Sequence, residues 1–339
     1  MAGALVVTGL MAGALIKPAL AGDQLTVVSW GGNYQNVLRK YVYEPFSQAT
    51  GIKITEAVYS GEVAKVRAMV ESKTVSWDVV DTGSNAFVMC DQGLIETIDW
   101  KKLGLDRAKF GDAGKFDCGV PSQFNSTIVY YDKKLPDAPK TIADLFDTKK
   151  FPGKRGLWKN PYPALEWALI ADGVPKKEVY KVLSTQEGVD RAFKKLDTIK
   201  NDVIWWTTGA QSGQLLADGQ VIMTAAWTSK ASNKQFNTLW DAAQGGGPSY
   251  WVIPKGSPHL EEAYKFLAFA GSPQPQADIT REMPYGPANR DAMALVDPAV
   301  LPELPNTPEH LAVALPFDPN FWVDKGDELR QRFNAWLAK

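Results

Sequence analysis

The sequence predicts an α/β fold, and three observations predict it. Short apolar runs rich in β-branched residues alternate with stretches of helical period. Most of those runs close on polar residues, as Leu25-Thr-Val-Val-Ser29 closes on Trp30-Gly-Gly-Asn33-Tyr34. A length of 339 residues, with ordinary apolar and charged fractions, suits about two domains. In an open α/β sheet, ligands sit beyond the carboxyl ends of the strands, so the residues following each strand are the candidate site.

The chain opens on an apolar run to Ile16, followed by Ala19-Leu20-Ala21, the small-x-small pattern of a signal-peptidase site. Residues 1–21 are therefore expected to be a signal peptide cleaved near Ala21, although no Lys or Arg precedes Lys17. An anchoring helix is the alternative, but the run falls short of the roughly 20 residues a bilayer span needs. Export to an oxidising compartment makes a Cys90–Cys118 disulfide the expected state of the two cysteines; two unconnected buried thiols are the other reading.

Charge and composition exclude several function classes. Lys plus Arg number 37 and Asp plus Glu 38, so no basic field suits nucleic acid. With His259 and His310 the only histidines and no Cys-x-x-Cys, no metal or cofactor is expected. Neither histidine follows a strand and Gly-x-Ser-x-Gly is absent, so no catalytic residues are assigned and the protein is not expected to be an enzyme. The chain's 12 tryptophans and 11 tyrosines serve cores and ligand platforms alike.

The elements follow in order. Gly31-Gly32 turns the first strand into a helix from Tyr34 to Phe46, which places Trp30, Asn33 and Tyr34 beyond the strand end; a βα turn with a packing tryptophan is the plainer reading. A second strand around Ile52–Tyr59 and a helix Val63–Glu71 come next. The strand Trp77–Asp81 ends in Thr82-Gly-Ser84-Asn85, and Gly93 suits the C′ position of the helix Ala86–Gln92. The β-rich run 119–131 is where the chain crosses into a second domain. There, Thr141 caps a short helix, Gly156–Trp158 is a strand, and Asn160-Pro-Tyr-Pro163 opens a helix whose free N–H groups could hold a polar group; a proline-rich connector is the alternative. Glu187–Ile199 is a helix. Val203–Trp206 then leads to Thr207, and Val221–Trp227 to Thr228, Ser229 and Lys230. The glycine run Gly245–Pro248 reads as a hinge, and Ser249–Pro254 as a strand returning to the first domain. Helix Leu260–Ala270, the irregular loop Met283–Asn289 holding Tyr285, and a closing helix Asp327–Leu337 complete the chain.

This order resembles the periplasmic solute-binding proteins of ABC importers, in particular the spermidine/putrescine-like branch. The resemblance rests on the strand into Trp30, Phe46-x4-Gly51-Ile52, Trp77-Asp78-Val-Val with Gly93-Leu-Ile, Asp218-Gly-Gln-Val221, Trp227, Trp251-Val-Ile-Pro254, and Glu262-Ala-x-Lys-Phe-Leu. It implies a two-lobe periplasmic binding protein fold (type II), with the ligand cleft between lobes, a small-molecule solute, an inner-membrane ABC permease as partner and a monomeric periplasmic protein. Residues 22–118 and 255–339 would form lobe 1, and 119–254 lobe 2. Trp30 and Trp227 stand where the family places rings against a ligand's methylenes and amines. The family's acids fall on Asn160, near Pro163 and near Ser249, so the carboxylates a polyamine needs are missing. Lys230 and Arg281 offer positive groups instead.

The expected solute is therefore small, polar and nitrogen-containing, such as an opine or amino-acid derivative. A polyamine is the alternative; an exported sugar binder or hydrolase on the same scaffold is a more distant one. The expected ligand-binding residues are Trp30, Asn33, Tyr34, Asp81, Ser84, Asn85, Asn160, Thr207, Trp227, Lys230, Ser249 and Tyr285.

Overall fold

The computed structural model describes residues 24–228 and 235–339; the expected leader and Lys230 lie outside them. Ten strands form one curled sheet: β1 (Gln24–Ser29), β2 (Lys53–Val58), β3 (Val79–Thr82), β4 (Val120–Asp132), β5 (Arg155–Trp158), β6 (Val203–Trp206), β7 (Met223–Trp227), β8 (Phe236–Val252), β9 (Gly286–Pro287) and β10 (Leu315–Pro316). Their order is β2-β1-β3-β8-β4-β7-β5-β6, with β9 on β4 and β10 on β8.

Two long antiparallel strands, β4 and β8, run through the whole sheet and divide it into halves. Near Val120, β4 pairs the last residues of β8, which carry β3, β1 and β2 on the other side. From Thr127 onward, β4 carries β7 and then β5 and β6. Each half is covered on both faces, as the near-continuous burial along its central strands requires. In the first half, Val27, Val79 and Trp251 enter one core and Val28, Val80 and Val252 another. In the second, Val129, Ala225 and Ala242 face one core and Ile128, Ala226 and Ala243 the other.

Strand direction sets where the strand ends lie. β3 is antiparallel to β8, and β1 and β2 run parallel to β3, so all three end pointing toward the second half. β7 is antiparallel to β4, and β5 and β6 run parallel with it, so their ends point back toward the first half. Thr82 lies level with Pro121 through Tyr250, and Trp227 level with Thr127. Six residues of strand at ~3.3 Å each put about 20 Å between the two levels. Into that interval fall two register shifts of β4 against β8, between Pro121 and Gln123 and between Phe124 and Ser126, and a third follows just past it, between Thr127 and Val129.

Two expectations are corrected. The glycine run Gly245–Pro248 does not break the chain; it lies inside β8, where residues without a side chain let β10 approach from the other edge. The closing helix is longer than its apolar period indicated, spanning Pro319–Leu337, because Pro319 fits the first turn and the Asp318 carboxylate accepts from the Phe321 N–H. It also packs Phe321, Leu329 and Phe333 into a core of the second half, not the first. The first helix continues through a π turn at Arg39–Tyr43 to Thr50. Cys90 and Cys118 form the expected disulfide, with Cα atoms 5.9 Å apart, which ties the helix Asn85–Asp91 to the approach to β4.

Candidate ligand-binding site

On the first half, the site begins at Gly31. Its φ of +70° lies in the left-handed region, and a Cβ there would sit 2.8 Å from Val58 Cγ1, so only glycine fits. The turn leaves Trp30 40% exposed, its ring tilted against Tyr59 at a centroid distance of 5.1 Å. Asn33 is exposed three residues further on, while Tyr34 turns inward. The Tyr34 hydroxyl donates to Asp81 Oδ2 at 2.5 Å and accepts from Gln123 Nε2, and its ring meets the edge of Tyr285 at 5.7 Å. Asp81 is fully buried. Desolvation pushes its carboxyl up to about 7, against the hydrogen bonds from Tyr34 and from Ser122, which lies 3.3 Å from Oδ1. Burial, then the neighbouring Asp81, holds the Tyr34 phenol well above its ordinary value, so it is a donor throughout the physiological range.

Beyond β3, Ser84 is exposed and Asn85 Nδ2 donates to the Gly61 carbonyl at 2.8 Å, pinning the loop after β2. That loop carries Glu62, an exposed carboxylate held below the usual range chiefly by the backbone N–H of Ser60. Ser249 is buried on β8 opposite Gln123. The first half thus brings together Trp30, Asn33, Tyr34, Asp81, Ser84, Asn85, Ser249 and Tyr285.

The second half gathers the rest of the expected residues differently. Trp227 is half-buried, with its ring edge-on to Trp158 at 5.4 Å and to Trp206 at 5.5 Å. Trp158 and Trp206 stack at 6.1 Å, so the ends of β5, β6 and β7 form one indole cluster. Asn160 Oδ1 accepts from the Tyr162 N–H at 3.0 Å and caps the helix Pro161–Ala171. Thr207 is exposed, its N–H and hydroxyl both directed at Gln211 Oε1. Beneath this rim, Glu166 is fully buried. It accepts from Trp322 Nε1 at 2.9 Å and from Tyr180, and desolvation pushes its carboxyl up to about 8. Arg281 does not stand free, since it pairs with Asp278 at 2.8 Å on the surface.

Sequence reasoning missed Ser122 and Gln123 inside β4, and Glu62, Trp158 and Trp206. The signal for the first two was present: polar residues interrupt an otherwise apolar crossing run. A separate groove of about 760 Å³, lined in part by Tyr131, Phe236, Trp240, Pro284 and Pro302, contains none of the expected residues.

Among the described residues that follow the six converging strands, Glu62 is the one exposed carboxylate and Lys159 the one exposed cation. Such a rim suits a solute with one charge of each sign better than one with several ammonium groups.

Residues 42–308 match the family model of the bacterial extracellular solute-binding proteins. A gamma-aminobutyric acid-binding protein of Pseudomonas aeruginosa is 42% identical over 329 residues, which cover 94% of this chain and 92% of that protein. The solved Atu4243–GABA receptor is similar at 35% identity and a TM-score of 0.83, covering 93% of this chain and 98% of that one. The binding protein MotA of A. tumefaciens B6, solved with glucopine, matches at 32% identity and a TM-score of 0.82, covering 93% of this chain and 99% of its own.

Proposed function

This chain belongs to the bacterial extracellular solute-binding family, and on that premise we propose that it captures a small zwitterionic amino acid of the γ-aminobutyrate type. It is the solute-binding component of an ABC importer, of the two-lobe periplasmic binding protein fold. The 42% identity with a γ-aminobutyrate-binding protein, across nearly the whole of both chains, is the observation that carries the choice of solute.

Residues 24–118 and 255–318 make up one lobe in this reading, and 119–254 with the closing helix the other. The solute lies between the ends of β1, β2 and β3 and the ends of β5, β6 and β7. Trp30 offers a face to its methylenes and ammonium, worth about 1 kcal/mol at an exposed site. Asn33, Ser84, Asn85 and Thr207 line the walls. Its carboxylate meets the exposed Lys159, since the N–H groups of the turn at Asn160 are already bonded within the chain. A polyamine would bring a second ammonium to a rim with one exposed carboxylate, and an unpaired cation removed from water costs several kcal/mol. The likeness to the glucopine-bound protein keeps opines in the tested panel. Delivery to a membrane permease and removal of residues 1–21 on export complete the reading.

Titration calorimetry of the mature chain decides it. γ-Aminobutyrate or a related ω-amino acid should bind with micromolar or tighter affinity, and putrescine at least about 100-fold more weakly, which corresponds to 2.7 kcal/mol. Tight putrescine binding with no response to amino acids or opines would overturn it.

A further inference from the structure

We infer that Gln123 is the group that recognises the solute's amine, through a side-chain carbonyl held in place by Tyr34 and Asp81. This deepens the function proposed above and rests on it.

When Asp81 is ionised, three side chains form a relay in which each proton has one place to go. Tyr34 has a single hydroxyl proton, and Asp81 Oδ2 lies 2.5 Å from its oxygen. With that proton given to Asp81, the phenolic oxygen can only accept, and the group that donates to it is the Gln123 amide nitrogen. The alternative amide orientation would claim the same proton for Gln123 Oε1. With Asp81 ionised, it would leave the Tyr34 and Asp81 oxygens facing each other without a hydrogen between them. Ser122 occupies the other oxygen of Asp81, so the acid is engaged on both sides. With Asp81 ionised, the chemistry of the relay therefore fixes which end of the Gln123 amide is nitrogen.

The consequence falls on Gln123 Oε1. Gln123 is 3% exposed, and this carbonyl oxygen has no hydrogen-bond partner. Burying an acceptor without a donor forfeits its hydration for nothing in return, and few native groups are left so without a reason. Its place in the fold supplies the reason. Gln123 stands on β4 opposite Ser249, just past the level at which β3 ends and within the interval between the two sets of strand ends. A ligand N–H donor is what the vacant acceptor suits, and an ammonium brings three.

The second half carries a comparable arrangement, in which Gln244 Nε2 donates to Tyr180 and Tyr180 bonds Glu166. There, one oxygen of Glu166 is also without a partner, so the direction of that relay is not fixed in the same way. The assignment is accordingly made for Gln123.

The test compares γ-aminobutyrate with its N,N,N-trimethyl analogue, which keeps the charge and loses the N–H donors, by calorimetry on the mature chain. Wild type should prefer γ-aminobutyrate by at least about 10-fold. Gln123→Leu, similar in volume, should weaken γ-aminobutyrate roughly 10- to 100-fold, the range for a hydrogen bond to a charged group, and leave the analogue nearly unchanged. Steric exclusion of the methyl groups would survive that substitution. Tyr34→Phe, which keeps the ring and removes the relay, should move the preference the same way by a smaller factor; it also serves if Gln123→Leu fails to fold. A wild type that binds both ligands equally, or variants that weaken both by the same factor, would overturn the assignment and leave the function standing. A wild type that binds neither these nor any other amine-bearing amino acid would overturn both.

Discussion

Two tryptophans at matching places do different work. Trp30 is held off the core by a glycine turn, beside Tyr59 and Gly61, and stays partly exposed. Trp227 is locked between Trp158 and Trp206 and packs against a core of the second half. Trp30→Ala is therefore expected to weaken solute binding by about 1 kcal/mol, roughly fivefold, with little change in the melting temperature of the unliganded protein. Trp227→Ala should also destabilise the fold, by about 2 kcal/mol or more, short of the 3 to 5 for a fully buried ring. Calorimetry and thermal melts on both variants check this; a large loss of stability in Trp30→Ala would place that ring in the core. The sequence placed both rings at strand ends correctly, since apolar runs closing on polar turns are local. Whether a ring is packed depends on neighbours such as Trp206, distant in the chain, and no local pattern reports that.

The helix Pro319–Leu337 and the helix Pro161–Ala171 meet through one polar contact, the Trp322 indole N–H on the buried Glu166. Desolvation raises this carboxyl to about 8 in the folded chain, well above its value near 4.3 when unfolded. The folded state thus binds the proton more tightly. The stability this contributes is complete below about pH 4 and is lost as pH rises toward 8. Glu166→Gln keeps an acceptor for Trp322 and cannot ionise. It should be more stable than wild type at pH 8.5, by at least about 1 kcal/mol, and nearly equal to it at pH 4. Equal melting temperatures at both pH values would show that Glu166 stays ionised in the fold. The long-range docking of this last helix was not legible in its sequence. Its apolar period was visible, but the face it covers belongs to residues more than a hundred positions earlier, and only the fold brings them together. The crossing strand β4 was legible, because β-branched and aromatic residues fill it, whereas β8 was obscured by the glycines inside it.

At the scale of the whole molecule, the two halves are joined by β4 and β8, with smaller ties from β9 and β10 and the docked closing helix. Closure on a solute is expected to bring the two sets of strand ends together, and small-angle scattering should show a smaller radius of gyration at saturating γ-aminobutyrate than without it. An unchanged radius in the presence of proven binding would mean that the solute is held without closure. A regular β ladder resists such bending, because every rung ties one strand to the next. β4 interrupts the ladder three times within a few residues, twice in the interval between the halves and once at its far edge. Mechanically, the pair is a flexure: a strip thinned at marked places, stiff elsewhere, that bends there because few rungs have to break. Its return stroke follows from the same geometry. With few rungs to remake, the opening of the protein is timed by the departure of its cargo rather than by the spring itself.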